Sequence, residues 1–258
     1  MTQLLSFLPA FLLIFIRVSS FMLVLPLYSH RSVPMVFKLG LSIMLAWIMV
    51  LAFDIPELVF DWSYILLVIK EISVGLAVGL VAMILLYAIQ VAGGLIDFTM
   101  GFMIANVVDP QTGAQSPLTG GFLYTFALLF LLTVNGHHLM LDGIYYSYQY
   151  VPLDQLTLPF GDERILNQAL SIFALMFVVA VQIAFPIAGC LFLVDLALGM
   201  VSRTVPQMNV FVVGMPLKLL VGLSLLMVYM GVFMMIVRKL FDELILAMRM
   251  MLQLLGGG

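Results

Sequence analysis

The charged side chains that lie inside otherwise apolar stretches of the sequence include Arg17, Glu71, Asp97 and Asp195. A charge at the centre of a membrane helix costs about 3 kcal/mol on insertion scales, so each of them is expected to face protein or water. Two kinds of chemistry would justify that cost. Arg17 forms a structural ion pair with one of the three carboxylates, or the four charges line a path along which a substrate moves.

The other polar residues do not form a pattern typical of enzymes. His137 and His138 are adjacent, so on a helix their side chains diverge by about 100°, whereas two metal ligands prefer the i, i+4 spacing. The stretch "GAQSPLTG" does not match the GxSxG nucleophile elbow. We therefore expect no catalytic residue, metal or cofactor, and we expect the histidines to end an apolar segment at the water interface.

The composition indicates the solvent in which these groups lie. Of 258 residues, 64% are hydrophobic and 9% are charged, whereas roughly 25% of an average soluble domain is charged. This predicts an all-α membrane protein. The net charge of -3 and ten scattered Lys and Arg residues exclude nucleic acid as a partner, because no basic stripe exists to bind phosphates. Cys190 is the single cysteine, so no internal disulfide can form.

Six stretches are long and apolar enough, or nearly so, to cross a membrane as helices, which takes about 20 residues. They cover residues 4–27, 35–53, 63–91, 118–134, 168–200 and 211–237. The first lacks a basic leader, so we expect it to remain as a span rather than to be cleaved as a signal. About six long hydrophobic helices arranged as helical hairpins are predicted.

Glycine or charged residues recur at four-residue spacing on three predicted helix faces. The faces are Glu71, Gly75 and Gly79; Gly93, Asp97 and Gly101; and Asp195, Gly199 and Arg203. Small residues at this spacing allow close helix approach, because lipid gives helices no hydrophobic drive to associate. Tight packing is expected, either within the chain or against another subunit, and Asp195 and Arg203 could pair through a partner group.

Two polar, proline-containing segments interrupt the apolar pattern. Residues 106–121 contain two prolines and three glycines, so they cannot be helical throughout. They form either a surface loop or a re-entrant loop that lines or blocks a pore, since irregular backbone at membrane depth must be surrounded by protein or water. Residues 201–218 carry Arg203 and Lys218, and the positive-inside rule places them on the cytoplasmic side.

The stretch "DLALGMVSRTVPQMNVFVVGMPLK", residues 195–218, closely resembles the sequence typical of the type III secretion export-gate family, in its flagellar branch. Further matches are "RVSSFMLVLPLYSHRSVPMVFKLGL" from Arg17, "KEISVGLAVGL" from Lys70, "AGGLIDFTMGFMIANVVDPQTG" from Ala92 and "NGHHLMLDG" from Asn135. The resemblance covers nearly the whole chain.

This resemblance implies a non-enzymatic core subunit of the gate through which unfolded flagellar proteins leave the cytoplasm. Such a subunit assembles with FliP and FliQ into a ring in the bacterial inner membrane, with FlhB at the cytoplasmic entrance and with FlhA, and part of the assembly is raised towards the periplasm. Residues 1–165 would form a FliP-like unit and residues 166–258 a FliQ-like C-terminal hairpin. The alternative is a stand-alone transporter of small solutes or ions that uses the buried charges.

The resemblance also implies roles for particular residues. A pore plug would consist of Asn106, Val107, Val108, Asp109, Pro110, Gln111, Thr112, Gly113, Ala114, Gln115, Ser116 and Pro117. Subunit packing would involve Arg17, Glu71, Gly75, Gly79, Gly93, Asp97, Gly101, Asp195 and Gly199. The cytoplasmic bend that contacts a partner would include Arg203, Pro206, Gln207, Asn209, Phe211, Pro216 and Lys218.

Overall fold

The regular structure of the described residues is entirely helical. The computed structural model describes residues 2–29, 33–53, 58, 60–102, 117–159, 161–205, 207 and 209–257, with side chains from Phe7 onwards. The helices are α1 (Thr2–Val24), α2 (Pro26–Ser29), α3 (Met35–Ala52), α4 (Trp62–Met100), α5 (Leu118–Thr133), α6 (Gly136–Tyr150), α7 (Glu163–Thr204) and α8 (Val210–Leu255).

The helices of the described residues confirm the predicted all-α membrane protein. Five of them are long and apolar enough to cross a membrane, or six if the bent pair α5 and α6 counts as one span. The bend of 72° between α5 and α6 falls at Asn135, which adopts the left-handed conformation at φ 56°. Asparagine tolerates this conformation better than most residues, so the chain turns sharply and continues as a helix.

The helix that follows this bend corrects the interpretation of His137 and His138. They lie in the first turn of α6 rather than at the end of the preceding span. Hydropathy misses α6 because its sequence, "GHHLMLDGIYYSYQY", is mostly polar or amphipathic. It is held as a helix by packing on one side, where Met140, Ile144 and Ser147 are buried.

Three helices are longer than the predicted spans. Helices α4, α7 and α8 contain 39, 42 and 46 residues, whereas about 20 suffice to cross the hydrocarbon core. Hydropathy marks only the most apolar part of each. The charged stretch after Val237 remains helical because the next turns bury apolar side chains, including Leu244, Met248 and Leu252.

The chain divides into two compact units. The first comprises residues 1–85, 132–173 and 241–258, and the second comprises residues 86–131 and 174–240. Helices α4, α7 and α8 each contribute a part to both units. This division reflects packing and does not test which part of the chain resembles FliP or FliQ, so the predicted boundary at residue 165 stays a prediction.

Glycine allows close helix contact within each unit. In the first, Gly75 of α4 lies against the backbone of Arg17 and Phe21 in α1, and Gly79 lies against Phe21 and Val24. In the second, a side chain at Gly93 of α4 would overlap the backbone of Gly120 in α5. These glycines therefore pack tightly against other helices of the same chain, which is one of the two predicted alternatives.

Replacing Gly75 with Ala should destabilise the protein by about 1–3 kcal/mol, because the added methyl group overpacks a tight contact. A Cβ at this position would lie 2.9 Å from Cβ of Ser20 and closer still to the carbonyl of Arg17. Gly189→Ala in α7 is the matched control, since a Cβ there meets nothing within 4 Å. Thermal unfolding of the two purified variants in detergent measures the difference, and equal unfolding temperatures would contradict this account of the α1 and α4 contact.

Candidate functional site

Arg17 and Glu71 form a fully buried ion pair between α1 and α4. Arg17 Nε and Nη2 donate to the two carboxylate oxygens of Glu71, the second at 3.0 Å, and both side chains are 0% exposed. Arginine matches a carboxylate in this two-pronged geometry, which gives directional as well as charge complementarity. The structural ion pair is therefore present in the chain, and Glu71 is the partner among the three candidate carboxylates.

The remaining donors of Arg17 bind the end of α6. Nη1 donates to Oγ of Ser147 at 2.9 Å, and Nη2 donates to the carbonyl of Val151 at 2.9 Å. The guanidinium also lies 3.8 Å from the ring centroid of Tyr148, where the aromatic face attracts a cation. Arg17 thus joins α1, α4 and α6, and its charge is satisfied by groups of its own chain.

Lys70 is the main residue of this cluster that sequence analysis missed. Its Nζ lies 2.6 Å from Oε1 of Glu71 and donates to the carbonyls of Pro152 at 2.8 Å and Leu153 at 3.1 Å. The sequence feature that could have identified Lys70 is its position: it is a second charged residue, next to Glu71, within a predicted membrane span. Two cations share one carboxylate here, and the carbonyls that follow α6 supply further negative partial charge, as helix C-termini do.

Asp97 lies in the second unit and joins the residues on both sides of segment 103–116. Its carbonyl accepts hydrogen bonds from the backbone N–H groups of Gly101 at 3.1 Å and Phe102 at 3.0 Å. Gly101, at φ 90°, ends α4 in the conformation that glycine adopts most readily. The Asp97 carboxylate accepts from the backbone N–H of Thr119, at 3.2 Å to each oxygen, and from its hydroxyl. Asp97 therefore stabilises both the C-terminus of α4 and the N-terminus of α5.

The predicted plug segment lies almost wholly outside the described residues. Of residues 106–117, only Pro117 is described, and its carbonyl accepts a 2.8 Å hydrogen bond from the N–H of Gly121. An apolar cavity of about 610 Å³ adjoins the described flanks of the segment. Its walls include Phe102, Leu118 and Phe122 on one side and Met227 and Met230 of α8 on the other.

The non-helical segment between α7 and α8 is shorter than the predicted bend over residues 201–218. Helix α7 ends at Thr204 and α8 begins at Val210, so Pro216 and Lys218 lie inside α8 rather than in a bend. Oδ1 of Asn209 accepts from the backbone N–H groups of Phe211 at 3.1 Å and Val212 at 3.4 Å. Asparagine is a favoured N-cap because it satisfies such free donors, and the cap lets α8 start six residues before its proline.

Asp195 pairs with Lys218 rather than with Arg203. The Lys218 Nζ to Asp195 Oδ2 distance is 2.9 Å, and the Asp195 side chain is 49% exposed. Within the second unit α8 runs antiparallel to α7, with Gly214 against Leu198 and the Tyr229 hydroxyl donating to the carbonyl of Gln182. This register places Lys218 opposite Asp195, whereas Arg203 lies eight residues, or about 12 Å, further along α7.

The structure thus separates the predicted packing residues into two sets. Arg17, Glu71, Gly75, Gly79, Gly93 and Asp97 contact other helices of their own chain. Gly199, Arg203, Gln207, Asn209, Phe211 and Pro216 lie on the surface of the chain. Pro206 lies outside the described residues. The roles of both sets in subunit packing and partner contact stay predictions.

Two acidic residues just before long helices are held in their charged forms. The Ser63 hydroxyl donates to Oδ1 of Asp61 at 2.5 Å and lowers the pKa of that carboxyl. Arg164 donates to Asp162 from its side chain, at 2.7 Å from Nη2, and lowers the pKa of Asp162 in the same way. Both carboxylates therefore remain negative below the usual pKa of an aspartate.

These features define a class: an all-α membrane protein whose buried charges hold its own helices together. The chain belongs to the family of bacterial export proteins, family 1, whose model matches residues 8–244. It is 52% identical to the flagellar biosynthetic protein FliR of Bacillus subtilis over 257 residues, or 99% of each chain. It is 31% identical to FliR of Escherichia coli, over 94% of this chain and 92% of that one.

A relative from a secretion system shows that the similarity is not confined to flagellar proteins. The chain is 30% identical to the secretion system apparatus protein SsaT of Salmonella typhimurium, over 82% of this chain and 83% of the relative. In the part of the chain that the structure describes, no group of three or more His, Cys, Asp or Glu residues could hold a metal ion.

Replacing Glu71 with Gln should destabilise the protein by about 3–5 kcal/mol, because two buried cations would lose their shared carboxylate. Asp195→Asn is the matched control: it also removes one carboxylate from an ion pair, but that pair is partly exposed and is worth about 1 kcal/mol or less. Unfolding temperatures of the purified variants measure the difference. If the two variants show equal decreases in unfolding temperature, the Arg17 cluster does not hold the first unit together.

Proposed function

We propose that this protein is a non-enzymatic core subunit of the flagellar type III protein export gate. The observation that carries the proposal is the match to FliR relatives along almost the full length of both chains. The structure supports a packing role for the buried charges, since Arg17 is neutralised inside the chain. A stand-alone transporter that moves solutes past Arg17 is disfavoured, because that side chain is 0% exposed and already bonded to three other groups.

The proposed partners are FliP and FliQ subunits in a ring, with FlhB at the cytoplasmic entrance and FlhA, in the bacterial inner membrane and flagellar basal body. Exposed apolar side chains support such an assembly. In α7 they recur from Leu170 through Phe177, Phe185 and Phe192 to Met200, each 58–70% exposed. This stretch of 31 residues exceeds the roughly 20 that cross a hydrocarbon core. Lipid cannot cover all of it, so another protein surface is the expected neighbour.

The segment 106–117 is proposed to act as a displaceable plug for the channel used by unfolded flagellar proteins. The described flanks support this role, because Asp97 bonds to Phe102 on one side and to Thr119 on the other. The adjacent cavity has apolar and methionine walls. Methionine is flexible and polarisable, so contacts with it can seal a channel and rearrange when a chain passes.

Deleting residues 110–116 should increase ion leak through the assembled gate without preventing assembly, because Asp97 and Thr119 at its flanks are kept. Membrane conductance in cells that express the variant measures the leak, and recovery of the sister subunits measures assembly. Thr119→Ala is a companion variant: losing the hydroxyl bond to Asp97 should loosen one flank and cause a smaller leak. An assembled deletion variant with unchanged conductance would exclude the plug role.

Exposed residues at the end of α7, at the start of α8 and between these two helices are proposed to contact FlhB. Arg203 and Gln207 are exposed and Phe211 is 78% exposed, so they offer a charge, an amide and an aromatic ring, all suited to an interface. The positive-inside rule predicts that Arg203 and Lys218 lie on the cytoplasmic side, which supports a contact at the cytoplasmic entrance.

The tagged protein purified from its native host should bring its FliP and FliQ homologues with it.

Arg203→Glu should reduce recovery of FlhB while leaving FliP and FliQ unchanged, because charge reversal at an interface repels a partner without disturbing buried packing. Arg238→Glu, an exposed position elsewhere on the hairpin, is the control. Purification of the wild type without any sister subunit would refute the gate proposal. Normal FlhB recovery from Arg203→Glu would refute only the contact.

A further inference from the structure

A proline interrupts the backbone hydrogen bonding of α7 near the middle of a predicted span. Pro186 lies inside the helix, and it has no backbone N–H to donate to the carbonyl four residues earlier. That carbonyl belongs to Gln182. Both residues lie near the centre of the apolar stretch 168–200. A carbonyl freed by proline at membrane depth is satisfied by a donor on a neighbouring helix.

The hydroxyl of Tyr229 in α8 supplies this donor. It donates to the carbonyl of Gln182 at 3.2 Å, and the two residues belong to the same compact unit. The bond therefore has two effects. It satisfies the acceptor that Pro186 leaves without its usual partner, and it ties α8 to α7 at the proline.

The Tyr229 bond is remote from the other polar contact between these two helices that is described above. Asp195, which pairs with Lys218, lies thirteen residues after Gln182, or about 20 Å along α7. Gln182 and Pro186 are themselves exposed, so the packing of the chain does not enclose this part of α7. The Tyr229 hydroxyl is thus placed to control α7 at its proline.

The strength of the Tyr229 bond suits a contact that opens and closes. Its length of 3.2 Å exceeds the roughly 2.7–2.8 Å typical of O–H···O bonds. A neutral hydrogen bond shifts a conformational equilibrium by about tenfold or less. The Arg17 and Glu71 side chains, by contrast, are 0% exposed, and breaking a buried ion pair is much more costly. The Tyr229 contact is therefore the more easily released of the two.

An open bond leaves α7 with a weak point at Pro186. Sharp helix kinks occur mainly at proline, because its ring crowds the carbonyl of the preceding turn and one backbone hydrogen bond is missing. With the hydroxyl withdrawn, the carbonyl of Gln182 has neither its helical donor nor its donor from α8. Bending of the helix at this turn exposes that carbonyl to other donors.

We propose that Pro186 is a hinge in α7 and that Tyr229 is its latch. While the Tyr229 hydroxyl is bonded to the carbonyl of Gln182, α7 stays tied to α8 at the proline. When that bond breaks, α7 bends at Pro186 and the residues just before it move away from α8. The inference rests on the missing N–H and its replacement, and it does not depend on the export role.

Hydrogen–deuterium exchange of the purified full-length protein, read by mass spectrometry, tests the proposal. Tyr229→Phe removes the hydroxyl and keeps the ring. The amides of residues 183–190 should then exchange about five- to tenfold faster, because the loss of one hydrogen bond raises the open population by roughly that factor. Tyr87→Phe is the matched control and should leave these amides unchanged, since the Tyr87 side chain is 53% exposed and makes no hydrogen bond within the described residues.

Pro186→Ala distinguishes a latch from ordinary packing. Alanine restores the N–H donor to the carbonyl of Gln182, so exchange of residues 183–190 should slow. Adding Tyr229→Phe to this variant should change their exchange by less than about twofold. If Tyr229→Phe alone does not accumulate, the double variant should accumulate, because its carbonyl is satisfied. Unchanged exchange in Tyr229→Phe, equal acceleration with Pro186 and with Ala at this position, or loss of both variants would each overturn the proposal.

Discussion

The first unit depends on the need to neutralise Arg17 away from water. A guanidinium that is 0% exposed is tolerated only if each of its donors finds an acceptor. Glu71 supplies the charge, and Ser147 and the Val151 carbonyl supply the remaining hydrogen bonds. Because these groups come from α4, α6 and the residues after α6, the cost of burying one charge specifies how three separate parts of the chain meet.

In the second unit, close helix packing at glycines has the role that the buried Arg17 ion pair has in the first unit. Gly93 and Gly120 let α4 and α5 cross at backbone contact, and Asp97 uses its carbonyl and its carboxylate to finish one helix and begin the next. Helices in lipid associate through such close fits and hydrogen bonds rather than through the hydrophobic effect. These hydrogen bonds connect Asp97 to described residues on both sides of the segment for which a plug role is proposed above.

The outward-facing residues point to an assembly. This chain pairs its buried charges internally, yet it exposes aromatic and methionine side chains along helices about twice as long as the hydrocarbon core is thick. Such a surface is more than lipid alone can cover. Phe185 at 70% and Met227 at 77% exposure illustrate this surface. The glycines differ in the same way: a Cβ added at Gly75 would overlap its own chain, whereas a Cβ added at Gly199 would meet nothing within 4 Å.

The membrane class, the helical spans, the glycine faces and the need of Arg17 for a partner were all readable from the residues, because hydropathy and helical spacing are local properties. Family resemblance was readable too, since it rests on residue order. Tertiary structure alone decided that Glu71 rather than Asp97 or Asp195 binds Arg17, that Lys70 joins them, that Lys218 rather than Arg203 meets Asp195, and that α6 continues beyond a bend. The pairings of Arg17 with Glu71 and of Lys218 with Asp195 are choices among chemically equivalent partners far apart in the sequence. Only the packing of the helices brings one of them within hydrogen-bonding distance.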